Sequence, residues 1–197
     1  MSKSLIYNSP FWVTFLHYTA RLYLKLAGWK VVGEVPSAKK FVAIAAPHTS
    51  NWDFPAFFSI VGHFRLSVRF LAKDTLFKGA GGWLFPWLGG IPVMRGSRSA
   101  SDLVTTAVAS FADADEMILA IAPEGTRSSV TKWKTGFYRI AVAADVPILL
   151  AYLDSSTREI GLSHLFYPTG DMEADMAEIQ AFYAGKRGIQ PRNQEDI

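Results

Sequence analysis

A histidine and an aspartate follow a short apolar run, with four residues between them. They are His48 and Asp53, in the stretch APHTSNWDF. An aspartate carboxylate can accept the proton of one imidazole nitrogen, which leaves the other nitrogen able to take a proton from a hydroxyl. The pair is therefore a candidate general base with its orienting partner, and this chemistry needs no nucleophile from the protein.

The same spacing has a structural interpretation, in which Asp53 caps a helix and the histidine is incidental. Within one continuous helix the two side chains would point about 140° apart, so pairing requires His48 on a turn before the helix. Ser50 and Asn51 are cap-type residues, and Pro55 is tolerated only in a first turn, so the sequence provides such a turn. Taken alone, this stretch leaves both interpretations open.

A second polar stretch, IAPEGTRSS, follows the apolar run EMILAIA. At the end of a strand, Glu124, Gly125, Thr126 and Arg127 would present backbone N–H groups and a guanidinium, a combination that suits a phosphate group. A glycine turn beside a solvent-exposed arginine is the simpler alternative.

Two more cations follow apolar runs, Lys73 in FLAKDTLF and Arg95 in GGIPVMRGSR. Each alone is typical of a surface charge. Together with Arg127 they would supply three cations for one anionic group.

Short apolar runs alternate with helical patterns along most of the chain. The strand candidates are WKVVGEV, FVAIAA, SVRFLAK, IPVM, EMILAIA, VPILLAYLD and REIGLSHLFY, and the helix candidates cover residues 53–62, 80–88, 99–114 and 135–144, with a last surface helix from residue 171. This alternation predicts an α/β fold with a largely parallel sheet flanked by helices. The polar stretches fall at strand ends, where α/β sheets usually build their sites.

Residues 1–30 are expected to contain an N-terminal amphipathic helix. Ser9 and Pro10 suit a cap and a first turn, and apolar side chains follow at helical spacing. The region is basic, with Arg21 and Lys25 among its cations, which suits an anionic membrane surface. Packing against the core explains the same periodicity equally well.

Length and composition predict one domain over residues 1–197, without a linker or an internal repeat. Its end, residues 186–197, is polar and expected to be poorly ordered. No cleaved signal is expected, because basic residues interrupt the N-terminal apolar pattern. The longest uncharged stretch, GAGGWLFPWLGGIPVM, is too short and too rich in Gly and Pro to predict a spanning helix.

Several classes of site lack their residues. With 0 Cys and 4 His, the chain excludes a disulfide framework, a thiol nucleophile and a cysteine-based zinc site, and it does not favour another metal site. The motifs of serine hydrolases, P-loop proteins and Rossmann dinucleotide-binding proteins do not occur. The net charge is only +3 and no RNA- or DNA-binding signature accompanies it, so no nucleic-acid partner is expected.

Four motifs in a fixed order give the chain a resemblance to the glycerolipid acyltransferase superfamily, which contains the 1-acylglycerol-3-phosphate acyltransferases. They are HTSNWD at residues 48–53, GIPVMR at 90–95, EGTR at 124–127 and VPIL at 146–149, and they match the family blocks H-x-x-x-x-D, G-x-x-x-x-R, E-G-T-R and V-P-x-x. Pro47 stands where the family usually has Asn, and Leu150 follows the fourth block where a second proline is common.

The resemblance implies transfer of a fatty acyl group from acyl-CoA or acyl carrier protein to a glycerolipid hydroxyl, most simply the sn-2 hydroxyl of 1-acylglycerol-3-phosphate. It implies that His48 is the general base and Asp53 its orienting partner. It further implies that the acceptor is bound by Lys73, Arg95, Glu124, Gly125, Thr126 and Arg127. No metal or redox cofactor is expected.

We expect a peripheral enzyme at the cytoplasmic face of the cell membrane, whose partners are the membrane surface, a lysophospholipid and the acyl donor. GGWLFPWLGG is a candidate wall of an apolar groove for the acyl chain, and core packing is its alternative. Another lysolipid or a glycolipid as acceptor stays open. Alternatives of another class are a thioesterase and a non-catalytic membrane-binding module.

Overall fold

A seven-stranded sheet forms the centre of the computed structural model, which describes residues 5–93, 100–128, 130 and 132–190. The strands are β1 (Lys30–Val32), β2 (Lys40–Ala46), β3 (Val68–Lys73), β4 (Gly90–Val93), β5 (Met117–Ile121), β6 (Ile148–Asp154) and β7 (Glu159–Phe166). Their order across the sheet is β1-β7-β6-β2-β5-β3-β4. Only β6 and β7 pair antiparallel, so the predicted largely parallel α/β sheet is confirmed.

Helices cover both faces of the sheet. They are α1 (Pro10–Leu26), α2 (Asp53–His63), α3 (Gly81–Trp87), α4 (Ala100–Asp113), α5 (Gly136–Ala143) and α6 (Met172–Tyr183), with 3₁₀ turns at Ile6–Asn8 and Asp74–Phe77. Residues from α4, α5 and α6 share one apolar cluster, and residues from α1 and α2 share the other. Such a three-layer arrangement is the usual way to bury both faces of a parallel sheet.

The central strand β2 is apolar at every position after Lys40, and its packing shows why. Val42 and Ile44 belong to the cluster under α4 and α5, while Phe41 and Ala43 belong to the cluster under α1 and α2. Because neighbouring side chains of a strand point to opposite faces, a strand buried on both sides reads as one unbroken apolar run.

The strand order brings two of the polar motifs together. The loop that carries His48 leaves the carboxyl end of β2, and the loop that carries Glu124 leaves the carboxyl end of β5, which pairs with β2 directly. Both loops therefore emerge side by side at one edge of the sheet. The VPIL motif lies at the start of β6, with Ile148 and Leu149 fully buried, so this motif contributes to the core at the opposite end of the strands.

The N-terminal helix α1 packs tightly against α2. A Cβ atom at Gly62 of α2 would lie 2.7 Å from the carbonyl oxygen of Leu16 and 3.0 Å from the Ala20 Cβ, so only glycine permits this approach. The Nδ1 atom of His17 lies 3.1 Å from the Gly62 carbonyl oxygen. One side of α1 is therefore part of the core, in agreement with the interpretation that its apolar periodicity reflects core packing.

The other side of α1 is apolar and exposed. Phe11 is 67% exposed and Phe15 is 53% exposed, and the Trp12 ring lies 5.3 Å from Trp87 of α3, whose neighbour Trp83 is 63% exposed. We call these five side chains the aromatic surface. Within the described ranges, no helix is both long enough and apolar enough to cross a bilayer.

The segment after α6 is hydrogen-bonded to the sheet in the first part of the polar tail, residues 186–197, that the sequence predicts to be poorly ordered. The amide of Arg187 donates to Asp154 Oδ1 (3.2 Å), and the Ser155 hydroxyl donates to the Gly188 carbonyl (2.7 Å). These bonds fasten residues 186–190 across the carboxyl end of β6, which the polar composition alone did not reveal. Residues 191–197 lie outside the described part of the chain.

Candidate active site

His48 and Asp53 form a direct pair. The Nδ1 atom of His48 lies 3.0 Å from Asp53 Oδ2. A carboxylate only accepts, so in the neutral imidazole Nδ1 carries the proton and Nε2 is the basic nitrogen. The His48 side chain is 31% exposed and that of Asp53 only 10%, so the base can be reached from outside while its partner is shielded.

The Asp53 carboxylate also holds the loop that carries the histidine. Its Oδ2 atom accepts the backbone amides of Thr49 (2.6 Å) and Ser50 (2.7 Å), in addition to His48. Asp53 opens α2, where a negative charge is favoured by the helix dipole. Asp53 therefore fixes the turn before the helix and orients the histidine with the same oxygen, which joins the two interpretations left open by the sequence.

Glu124 lies below the histidine loop. Its Oε1 atom accepts the backbone amide of His48 (2.9 Å), and the residue is only 7% exposed. Burial raises the pKa of the Glu124 carboxyl, although the hydrogen bond from the His48 amide acts in the opposite direction. The contact of Glu124 with the backbone of His48 adds a positioning role to the acceptor-binding role predicted for the EGTR turn.

Tyr183 of α6 is a buried side chain near enough to Glu124 to interact with its charge. Burial raises the pKa of its phenol well above the ordinary value, and the Glu124 charge adds to this. Its hydroxyl donates to the Ala151 carbonyl of β6 (2.9 Å), so this hydrogen bond connects α6 to the sheet. Sequence reasoning missed Tyr183, which carries no local motif.

Two buried carboxylate oxygens of the site accept no hydrogen bond from the described residues. They are Asp53 Oδ1 and Glu124 Oε2. A buried acceptor left without a donor costs about 1–3 kcal/mol, and such groups are typically retained where a function requires them. Both carboxylates contact His48, Asp53 at its Nδ1 atom and Glu124 at its backbone amide, which makes this end of the sheet the candidate site.

Arg127 opens onto a cleft beside the histidine loop. The cleft has a volume of about 250 Å³ and is lined by Thr49, Ser50, Asn51, Trp52, Arg127 and Gln190. The guanidinium of an exposed arginine in such a cleft can bind a phosphate through two parallel hydrogen bonds. Sequence reasoning predicted Arg127 but missed Gln190, which lies far away along the chain.

The EGTR turn is held in a conformation that requires glycine. Gly125 has φ +65°, and its amide donates to the Ala122 carbonyl (3.1 Å). The hydroxyl of Thr126 accepts the Ser128 amide (3.3 Å). Gly125 and Thr126 thus shape the turn from which Arg127 projects.

Lys134 is a further cation at this turn that the sequence analysis did not select. Its amide donates to the Pro123 carbonyl (2.8 Å), and a Cβ atom at Gly125 would lie 2.8 Å from its Nζ atom. The side chain therefore lies across the turn. A lysine soon after an EGTR turn is the only local signal, and it does not distinguish this cation from nearby Lys132.

The two remaining predicted cations are Lys73, which does not line the cleft, and Arg95. Lys73 ends β3, which is separated from β2 by β5, so its backbone lies about 10 Å from the histidine strand at the usual strand spacing. Its side chain is exposed and is not among the residues that line the cleft. Arg95 lies outside the described residues.

Comparisons with known proteins give the chain a family. The sequence model of the family described as Acyltransferase matches residues 29–152, well over half of the chain. A search of curated proteins gives no match. Among solved structures, the chain is similar to the crystal structure of the 1-acyl-sn-glycerophosphate (LPA) acyltransferase PlsC from Thermotoga maritima. That similarity has a TM-score of 0.61 and 21% identity, over 87% of this chain and 76% of that one.

The structural similarity shows the fold, and the family match shows the class of protein. The match covers the histidine loop, the EGTR turn and most of β6. It confirms the prediction that the chain is an acyltransferase. With its polar loops gathered at the carboxyl end of a parallel sheet, this chain belongs to the acyltransferase family.

Proposed function

We propose that the protein transfers a fatty acyl group from an acyl thioester to the sn-2 hydroxyl of 1-acylglycerol-3-phosphate, with His48 as the general base. The observation that carries this proposal is the 3.0 Å contact between His48 Nδ1 and Asp53 Oδ2, which directs the second nitrogen outward. Family membership supplies the class of reaction, and this geometry supplies a base suited to a hydroxyl.

The reaction balances without another reactant. The His48 Nε2 atom takes the proton of the acceptor hydroxyl as its oxygen attacks the thioester carbonyl carbon. A C–O bond forms, the C–S bond breaks, and the proton passes from the imidazolium to the leaving thiolate. A thioester is already activated, so general-base assistance of about 10²- to 10⁴-fold, with positioning of the two substrates, suffices in principle. We therefore propose no metal or redox cofactor.

The cleft beside the histidine supports an acceptor that carries a phosphate. Arg127 lines it, and Lys134 lies across the same turn. Thr49, the residue after His48, also lines the cleft, so a phosphate held by Arg127 would lie beside the loop that carries the proposed base. Lys73 and Arg95 remain proposed phosphate ligands.

The aromatic surface supports a peripheral position on a membrane. Exposed aromatic side chains beside the cations Arg21 and Lys25 of α1 are typical of a helix lying in the interface of a bilayer. We place the enzyme at the cytoplasmic face of the cell membrane.

An apolar path for the acyl chain is proposed along α3. Phe54, the residue after Asp53, lies 5.9 Å from Phe85 of α3, and Phe85 lies 5.6 Å from Phe77. The rings connect the predicted groove stretch GGWLFPWLGG to the first turn of α2. This supports the proposed groove wall and leaves Trp83 and Trp87 on the outer side of α3.

The test measures thiol release from acyl-CoA and from acyl carrier protein, with and without 1-acylglycerol-3-phosphate, and identifies the lipid product by mass spectrometry. We expect release that depends on the acceptor and a diacyl product. Release without acceptor would replace the proposal by a thioesterase, and no release from either donor by a membrane-binding module. A panel of other lysolipids and glycolipids, run in parallel, decides the acceptor.

A further inference from the structure

The segment that follows α6, residues 185–190, runs from the end of the last helix to the active-site cleft. It lies beyond the part of the chain that the family model matches, which ends at residue 152. Gly185, with φ +79°, turns the chain out of α6. We call residues 185–190 the C-terminal segment.

The C-terminal segment is fastened to the end of β6 and the turn after it. The Ser155 amide donates to the Arg187 carbonyl (2.7 Å), and the Ser155 hydroxyl donates to the Gly188 carbonyl (2.7 Å). The Arg187 amide donates to the buried Asp154 carboxylate (3.2 Å). Three hydrogen bonds at Arg187 and Gly188 therefore fix the position of the segment relative to the end of β6.

Gly188 then meets the histidine loop at very close range. A Cβ atom at Gly188 would overlap the Thr49 side chain, clashing with both its hydroxyl oxygen and its methyl group. Thr49 is buried, and its hydroxyl oxygen accepts the Gln190 amide (3.1 Å). The side chain of Thr49 is therefore enclosed by the C-terminal segment.

Thr49 connects this contact to the catalytic pair. It follows His48 in the chain, and its amide donates to Asp53 Oδ2 (2.6 Å), the oxygen that also lies 3.0 Å from His48 Nδ1. Any displacement of Thr49 therefore moves the backbone of His48 and one of the donors that hold the Asp53 carboxylate.

We propose that Gly188 is a positioning residue for the acyl transfer: by admitting the Thr49 side chain, it sets the geometry of the His48–Asp53 pair. This inference rests on the proposed function only for its kinetic consequence. A misplacement of about 1 Å in a reacting group can cost on the order of 10²-fold in rate. Gln190, at the end of the same segment, also lines the cleft with Arg127.

The experiment compares Gly188→Ala with Gly136→Ala, a glycine of α5 where an added Cβ meets nothing within 4 Å. We expect Gly188→Ala to lower kcat about 10²-fold, with a smaller change in KM, and Gly136→Ala to keep the wild-type values. Thr49→Ala in the Gly188→Ala background removes the two nearest clashing atoms, leaves only the Thr49 Cβ at 2.9 Å, and should recover about 10-fold of that loss. Unchanged kcat in Gly188→Ala, or no recovery in the double variant, would overturn the proposal.

A second readout does not depend on activity. The imidazole ¹⁵N resonances of His48, assigned with His48→Gln, report the tautomer with the proton on Nδ1. Its fraction should fall in Gly188→Ala and not in Gly136→Ala. If the wild type shows no acyl transfer, the proposed function fails while this readout still decides the positioning role.

If Gly188→Ala does not fold, Ser155→Ala takes its place, since it removes only the 2.7 Å bond to the Gly188 carbonyl. It should lower kcat several-fold and shift the His48 tautomer in the same direction. A wild-type tautomer fraction in this variant would overturn the proposal.

Discussion

The candidate active-site edge of the sheet consists of hydrogen-bonded polar groups, whereas the aromatic surface consists of exposed apolar rings. At the active-site edge, a carboxylate, an imidazole and backbone amides are joined by bonds of 2.6–3.0 Å, and most of the groups are shielded from solvent. The aromatic surface consists of rings that contact one another at 5.2–6.5 Å while much of their area is exposed. The interactions at the active-site edge depend on the relative positions of a few atoms, and those of the aromatic surface depend on the apolar area that it presents.

This difference determines how each region should respond to substitution. Hydrogen-bonded groups lose function steeply when one partner is removed, because the remaining partners are buried and unsatisfied. Apolar surface loses function gradually, in proportion to the area removed from the interface. Substitutions in the two regions therefore should separate turnover from membrane binding.

The largest effect should follow His48→Ala. Loss of the general base should lower kcat by about 10²- to 10⁴-fold, without a change in liposome binding. The matched control is His164→Ala, an exposed histidine of β7 outside the site. If both variants keep wild-type turnover in the acyltransfer assay, the base is not His48.

Asp53→Asn should rank second, with kcat lowered by about 10²-fold because the histidine is no longer held in its tautomer and position. The asparagine oxygen can still accept the amides of Thr49 and Ser50, so thermal unfolding should shift little. Turnover equal to the wild type would remove the orienting role, whereas a large drop in Tm would show that the carboxylate acts mainly on the loop.

Arg127→Ala should raise the apparent KM for a phosphate-bearing acceptor by about 10- to 150-fold, which corresponds to the loss of a charge-assisted hydrogen bond of about 1.5–3 kcal/mol. The KM of the acyl donor should change less. Arg139→Ala, an exposed arginine of α5, is the control. An unchanged acceptor KM would contradict the phosphate role.

Phe11→Ser tests the aromatic surface. We expect the partition coefficient to anionic liposomes to fall several-fold, since full burial of such a ring contributes roughly 1.5–3 kcal/mol. Tyr167→Ser is closely matched, because Tyr167 and Phe11 are both 67% exposed and Tyr167 lies after β7, away from α1. Equal losses in the two variants would mean that binding is not localised to the aromatic surface.

Glu124→Gln should have the smallest effect, on the pH dependence of stability. Burial raises the pKa of Glu124 above its ordinary 4.5, so the folded state binds this proton more tightly than the unfolded state does. The contribution is present below about pH 4.5 and is lost as the pH rises through the higher pKa of the folded state. The free energy of unfolding of Glu124→Gln, relative to wild type, should therefore increase with pH over that window. Denaturant titrations at several pH values measure this, and parallel curves would contradict it.

The sequence predicted the elements whose side chains repeat with a clear period. Strand β2 and helix α2 could be located because buried strands form apolar runs and because Pro55 restricts where a helix begins. Spacing and cap chemistry allowed the pairing of His48 with Asp53 but left it open, and the ordered family motifs favoured it. The family motifs then made the EGTR turn a candidate partner.

The sequence could not reveal contacts made between distant segments. The interaction of Tyr183 with the Glu124 charge and the contact of Gly188 with Thr49 depend on where α6 and the chain after it lie on the sheet, and no local pattern encodes this. Residues 186–190 are polar, and their composition alone predicts poor order. Composition cannot show that Arg187 and Gly188 form hydrogen bonds with Asp154 and Ser155. Likewise, periodicity could not show which side of α1 packs against α2.

Helix α2 joins the two contrasted regions. Its first residue is Asp53, and its end carries Gly62, against which α1 is seated. A helix of 11 residues is about 16 Å long and does not stretch, so it acts as a rigid spacer between α1 and the carboxylate. In the proposed membrane-bound enzyme, the length of α2 would set the depth at which His48 meets a lipid, and a lipid whose hydroxyl lies at another depth would have to move to reach it.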